Sequence, residues 1–395
     1  MTGTVCITGL GCLCGAGGTL PEIMQSMYAG RRVPGAPTRM RCDHDVVYPV
    51  FELPASIDLS VDARTNRSLA MAVVAAREAL QQAGLTPDLL AGKRVGVCLG
   101  TSTGASLNLL DYYARHKAGQ SGDSAEVSLW RHSNPGLGLA RILDLNGPVQ
   151  TVVNACSSGS DAVGIAMSWL QQGLCDVVLA GGTDELSMVP YNGFIRLMIY
   201  DSQPCRPFDA RRKGLNLGEG AGMLVLERRS HADQRGAAVL AVAAGFGNAA
   251  DAHHLTAPHP EGSSLRRATE QALAQAGIDA GQVGFINAHG TATPNNDQAE
   301  SKVLSQLFPH TPVVATKGFT GHTLGAAGAI EAVFTVAALR DGKLPASIGC
   351  EQPDPALQVT PVQVQTPVAA NYGLTQSLGF GGNNAVLVFG RGEQA

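Results

Sequence analysis

Three residues far apart in the chain carry side chains able to do covalent and acid–base chemistry together: Cys156, His289 and His322. Cys156 lies in Thr-Val-Val-Asn-Ala-Cys-Ser-Ser-Gly-Ser-Asp-Ala-Val-Gly-Ile-Ala, residues 151–166. The β-branched run at its start reads as a buried strand, and Ala162, Ile165, Ala166 and Leu170 then follow at helix-face spacing. The cysteine thus falls where a strand turns into a helix. Unpaired N–H groups and partial positive charge at a helix start favour a thiolate, which makes Cys156 a candidate nucleophile. A free cysteine is most often a buried structural residue, and on this stretch alone the two readings balance. His289 lies in Ile-Asn-Ala-His-Gly-Thr-Ala-Thr-Pro and His322 in Thr-Lys-Gly-Phe-Thr-Gly-His-Thr-Leu-Gly-Ala-Ala-Gly. Each follows an apolar strand that ends in a polar, glycine-rich turn. One cysteine and two histidines at the carboxyl ends of strands can converge at a single site in an α/β fold.

The elements that must hold these turns come in two runs. Strands are expected over 4–10, 93–100, 176–182, 223–227 and 237–245, with helices over 20–30, 64–84, 133–145 and after Ala162. A Gly- and Ser-rich turn at 100–106 leads into a helix near 107–116. Residues 31–60 read as a surface segment and 185–205 as an irregular insertion. From Asp251 the order begins again: helix 263–276, strand 283–287, helix 297–307, strand 313–316 and helix 326–339. Strands near 362–365, 372–379 and 385–389 close the chain. Alternating strands and helices in two runs indicate an α/β architecture with a pseudo-duplicated chain, divided near 247.

Composition narrows the class. With 395 residues there is room for two to three domains, and 45% hydrophobic with 15% charged residues is ordinary for a soluble globular enzyme. The 48 glycines cluster at strand-to-helix turns, which suits tight turns in a packed body. A net charge of −4 gives no reason to expect nucleic acid. Nine cysteines include no C-x-x-C pair, so neither a zinc site nor a disulfide framework is suggested; reduced thiols in a cytoplasmic protein are the simpler account. No uninterrupted apolar run is long enough to span a bilayer. The segment Asp-Ala-His-His-Leu-Thr-Ala-Pro-His-Pro from Asp251 looks metal-like, but no spaced carboxylate or cysteine completes a ligand set.

Taken together, Asn-Ala-Cys-Ser-Ser-Gly (154–159), Asn-Ala-His-Gly-Thr-Ala-Thr-Pro (287–294), the 316–328 motif and Gly-Phe-Gly-Gly-Asn-Asn (379–384) resemble the motifs of β-ketoacyl-[acyl-carrier-protein] synthases. These are the condensing enzymes of fatty acid and polyketide synthesis, and the resemblance covers nearly the whole chain in order. It implies a thiolase-like fold: two pseudo-duplicated βαβ-rich halves, 1–247 with the nucleophile and 248–395 with both histidines, in a layered α-β-α-β-α body.

The resemblance also implies roles. Cys156 takes an acyl group from a carrier-protein thioester. A malonyl thioester then loses carbon dioxide, and its enolate carbon attacks the acyl-Cys. The backbone amides of Cys156 and Phe380 form the oxyanion hole, and neutral His289 and His322 donate Nε2–H to the developing enolate oxygen. Lys317 organises the site electrostatically and pairs with Glu331, and an ammonium there disfavours imidazolium. Thr291 and Thr293 hydrogen-bond the phosphopantetheine arm. Leu378, Phe380, Gly381 and Asn383 form the loop that gates the acyl group, while Leu107, Leu109 and Leu110 approach the acyl pocket beside a dimer partner. Asn383 stands where many relatives have Thr, and Leu378 where they often have Phe. Asn154 and Ser157 vary the nucleophile turn. Neither a metal nor an organic cofactor is implied; the partners are acyl carrier protein and a second subunit, identical or related. Two rivals remain. A non-catalytic chain-length-factor-type subunit would lose the nucleophile, whereas Cys156 is present. A thiolase would place a second catalytic cysteine near the C-terminus, and Cys350 lies in no such motif.

Overall fold

The computed structural model describes residues 3–392, apart from 41, 43, 62–64, 105–109, 121–124, 126, 129–131 and 133. Its main strands are β1 (Val5–Cys14), β2 (Val95–Gly100), β3 (Val149–Val152), β4 (Val177–Asp184), β5 (Gly220–Arg228), β6 (Ala241–Ala250), β7 (Val283–Ala288), β8 (Val313–Ala315), β9 (Tyr372–Gly379) and β10 (Asn383–Arg391). They form one sheet in the order β3-β2-β4-β5-β1-β6-β10-β9-β7-β8. Read from each outer edge inward, the halves have the same plan. β2 runs parallel to β3 and β4, and β5 is antiparallel to β4 and β1. In the second half β7 is parallel to β8 and β9, and β10 is antiparallel to β9 and β6. The halves join where Cys6 and Ile7 pair with Val242 and Ala241.

The helices that matter for the site are α1 (Arg67–Gln82), α2 (Ser158–Gln171), α3 (Met188–Arg196), α4 (Ser263–Ala276), α5 (Pro294–Leu307) and α6 (Ala327–Asp341). α1 covers the outer face of the first half and α4 that of the second. α2 and α6 form an inner layer touching strands of both halves, and every residue of α6 from Ala327 to Leu339 is buried. A helix enclosed on all sides has no solvent-facing polar stripe, and apart from Glu331 and Thr335 its buried residues are apolar or glycine.

A shared signature marks the duplication. Gly9 and Gly11 on β1 lie against the carbonyls of Ala79 and Ala75 of α1; Gly245 and Gly247 on β6 lie against those of Ala272 and Ala268 of α4. A side chain at any of these glycines would collide with helix backbone. The same fact corrects the dividing line at 247, which cuts β6. Gly245 and Gly247 are places of close helix approach rather than a strand end, and the repeated strand order puts the junction before Ala241.

Other boundaries shift for identifiable reasons. α1 starts at Arg67 because the Asn66 side chain accepts from the Leu69 N–H. α5 begins at Pro294, a first helical position where proline's missing N–H costs nothing. The stretch read as an irregular insertion contains α3, disguised by Pro190 and Gly193; proline in a first turn is tolerated because that N–H has no helical partner anyway. No strand spans 362–365; a short pairing of Thr366–Pro367 with Lys343–Leu344 follows instead.

The inner helices meet closely. A Cβ on Gly159 of α2 would stand 2.7 Å from the Ala329 backbone nitrogen of α6, whereas one on Gly193 of α3 meets nothing within 4 Å. Gly159→Ala is therefore expected to cost about 1–3 kcal/mol by overpacking. Gly193→Ala should gain up to about 1 kcal/mol through helix propensity. Urea midpoints of the two variants check this; equal midpoints would contradict it.

Candidate active site

Each of the three candidate side chains is held on a turn that other segments brace. Cys156 lies between β3 and α2, directly after Ala155, whose φ of +51° is a strained conformation for a residue with a side chain. The turn is held by its own polar groups. Asn154 N–H donates to Ser158 Oγ at 2.8 Å, while Asn154 Nδ2 and Ser157 Oγ both donate to Asp161 at 2.7 and 2.8 Å. His289 follows β7, and its N–H and that of Gly290 donate to the Glu300 carboxylate of α5 at 2.6 and 2.8 Å. His322 follows β8 and the turn Lys317–Thr320; its N–H reaches Asn216 O at 2.8 Å and its carbonyl accepts from Gly218 N–H at 3.0 Å.

These turns bring the side chains together. His322 Nε2 is 3.1 Å from Cys156 Sγ, and the two imidazole rings stand edge to face with centroids 5.2 Å apart. All three residues are buried. The Lys317 ammonium has three protons and three acceptors: His289 Nδ1 at 3.0 Å, the His289 carbonyl at 2.6 Å and Glu331 Oε1 at 2.5 Å. Because an ammonium only donates, His289 Nδ1 must accept, and the ring's own proton sits on Nε2. His322 Nδ1 has no partner among the described residues, so nothing ties that ring to one tautomer. Its Nε2 is free to take a proton from the thiol or to donate one.

Burial, followed by the Lys317 charge, holds both histidines well below the usual imidazole range. Burial also pushes Glu331 up to about 7, opposed by Lys317. At Cys156 the shift opposes the effect expected of a helix start. Burial pushes Cys156 up to about 11, and the Phe380 N–H and Lys317 charge offset only part of that. Burial, the largest of these influences, favours the thiol over the thiolate.

A tunnel of about 250 Å³ leads to this cluster. Thr291 and Thr293 line it, their hydroxyls 2.9 Å apart, and so do Leu378 and Phe380. The Phe380 ring stacks on Phe194 of α3 with centroids 5.3 Å apart. Asn383 Nδ2 donates to the Phe380 carbonyl at 3.0 Å. Gly381, at φ +81°, donates its N–H to Leu255 O at 2.8 Å. Leu107 and Leu109 lie outside the described residues, as does the side chain of Leu110.

Some participants were not foreseen. Glu300, pushed by burial up to about 8, positions the His289 turn; its signal was a glutamate about two turns into the helix after that histidine. Asp184 accepts from Thr101 Oγ1, Ser102 N–H and Gly325 N–H at 2.7, 2.7 and 2.6 Å, tying the β2 turn to the turn after His322. Phe194 carried no sequence signal. His253 and His259 approach each other at 5.0 Å between rings, and among the described residues no three His, Cys, Asp or Glu side chains gather as a metal site would need.

Comparison with known proteins gives a consistent family. The β-ketoacyl synthase N-terminal domain matches residues 2–232 and the C-terminal domain residues 240–351. The 3-oxoacyl-[acyl-carrier-protein] synthase 2 of Staphylococcus aureus (strain COL) is 34% identical over 411 residues, covering 98% of each chain. The ishigamide ketosynthase/chain length factor structure superposes with a TM-score of 0.93 at 30% identity, covering 99% of this chain and 100% of its own. A type II polyketide ketosynthase solved with its acyl-carrier protein and a bound hexaketide gives 0.89 at 26% identity, with the same coverage. With its duplicated thiolase-like fold and these matches along almost its full length, the chain belongs to the β-ketoacyl synthase family.

Proposed function

We propose that the chain is a 3-oxoacyl-[acyl-carrier-protein] synthase that uses Cys156 as nucleophile. The observation that carries this reading is the single buried cluster of Cys156, His322 and His289 backed by the Lys317 ammonium. In the first stage the Cys156 sulfur attacks an acyl thioester. Its proton passes to the departing pantetheine sulfur, and His322 Nε2 at 3.1 Å is placed to relay it. Backbone N–H groups of Cys156 and Phe380 hold the tetrahedral oxyanion. In the second stage a malonyl thioester loses carbon dioxide, and the bonding pair becomes an enolate. The two Nε2–H groups stabilise its oxygen without needing positive charge. The enolate carbon then attacks the acyl-Cys carbonyl, the C–S bond breaks, and the thiolate recovers a proton. Thr291 and Thr293 are suited to the amides of the arm, and Leu378, Phe380, Gly381 and Asn383 to gating the acyl group.

This chemistry needs no metal and no organic cofactor of the enzyme's own. The proposed partners are an acyl carrier protein, as in the hexaketide-bound relative, and a second subunit. That subunit is a further copy of this chain or a chain-length-factor-type relative, as in the ishigamide pair. A non-catalytic role for this chain itself is disfavoured by the assembled cluster. Nine unpaired thiols suit the reducing cytoplasm. Among the described residues no helix is long and apolar enough to cross a membrane.

The test is direct. Supplied with malonyl-carrier protein and a panel of acyl-carrier proteins, the wild type should yield β-ketoacyl products two carbons longer by mass, and Cys156→Ala should yield none. Undiminished condensation by Cys156→Ala would end the proposal.

The raised thiol pKa makes a separate prediction. Since the thiolate fraction grows only as pH climbs toward about 11, iodoacetamide should alkylate Cys156 about ten-fold faster per pH unit between pH 6 and 9. A plateau reached below neutrality would reveal a thiolate–imidazolium pair instead.

A further inference from the structure

Lys213 is the only Asp, Glu, Lys or Arg among the described residues that line the tunnel. With both histidines neutral, it supplies the lining's one formal charge. Its position is at the outer end. The inner end is Cys156, His289 and His322, all nearly inaccessible, whereas Lys213 is exposed and its lining neighbour Met198 is 87% exposed. The two preceding arginines are committed elsewhere: Arg211 to Asp209 and Glu351 at 3.1 and 2.9 Å, and Arg212 to Asp354 at 2.6 Å. Lys213 has no ion-pair partner among the described residues. Its stem also leaves a fixed backbone, because Leu215 N–H bonds Ile199 O at 2.9 Å and Asp201 N–H bonds Leu215 O at 2.9 Å.

We propose that Lys213 is a phosphate-recognition residue, pairing with the phosphodiester of an arm whose thioester lies at Cys156. This rests on the carrier-thioester reading above. Connectivity identifies the anion. The malonyl carboxylate is two bonds from the thioester carbonyl carbon, so it must lie at the buried end beside the histidines. The other anion on the same substrate is the phosphodiester at the far end of the pantetheine arm, where a tunnel open at Lys213 would deliver it. A lysine ammonium is a compact point charge on a flexible stem. That suits a phosphate which must be held during each stage and released between them. A bidentate guanidinium clamp would hold it more rigidly.

Two small probes isolate this contact from any protein docking: malonyl-phosphopantetheine and malonyl-pantetheine, identical except for the phosphate. The quantity read is the ratio of their kcat/KM values for condensation with acylated enzyme. The wild type should favour the phosphorylated probe about two- to five-fold, the range of a solvent-exposed ion pair. The preference should fall to about one in Lys213→Ala, reverse in Lys213→Glu and return in Lys213→Arg. A ratio unchanged in Lys213→Ala and Lys213→Glu would overturn the assignment, as would equal losses on both probes. If the wild type turned over neither probe nor malonyl-carrier protein, the carrier-thioester reading would fall and take this subsite with it.

Discussion

A buried ammonium organises the site. Lys317 has almost no access to water, and its three protons are shared among one carboxylate, one ring nitrogen and one backbone carbonyl. Removing an isolated charge from water costs several kcal/mol, so the arrangement persists only because Glu331 and the two His289 acceptors replace the lost hydration. In return the cation fixes His289 as an Nε2–H donor, while burial, followed by that charge, holds both imidazoles well below the usual range. The enolate stabilisation proposed for the two rings depends on that charge balance.

The fold explains how such a cluster is assembled from distant segments. Cys156 belongs to the first half; His289, Lys317, His322 and Glu331 belong to the second. They meet because the inner helices α2 and α6 are pressed together at Gly159, with no side chain between them. Glu331 is on α6 itself, so the helix that welds the halves also supplies the counter-charge for Lys317. Asp184 adds a further tie between the two halves beside His322. Packing and the candidate site therefore share residues, and a shift of α6 against α2 would move the Glu331 carboxylate and Cys156 relative to each other.

Much of this is readable from sequence wherever a residue type permits one local outcome. Strand-then-glycine turns place Cys156, His289 and His322 at strand ends, and α4 and the strand 372–379 match their periodicity to the residue. Failures arise where tertiary context overrides the local pattern. Gly245 and Gly247 look like a strand end because close approach of α4 also demands glycine. α3 hides behind Pro190 and Gly193, and with it goes Phe194, whose stacking on Phe380 depends on a partner about 190 residues away. The expected thiolate at Cys156 followed from the helix start alone. Burial, a property of the assembled protein, opposes it.

The protonation state of the two rings is the quantity on which the proposed mechanism turns. It is measured by following the imidazole nitrogens of labelled His289 and His322 by NMR across about pH 5 to 8, the range in which an ordinary histidine titrates. Both rings should stay neutral throughout, with His289 in the Nε2–H form. An imidazolium signal from either ring at neutral pH would contradict the role assigned to Lys317.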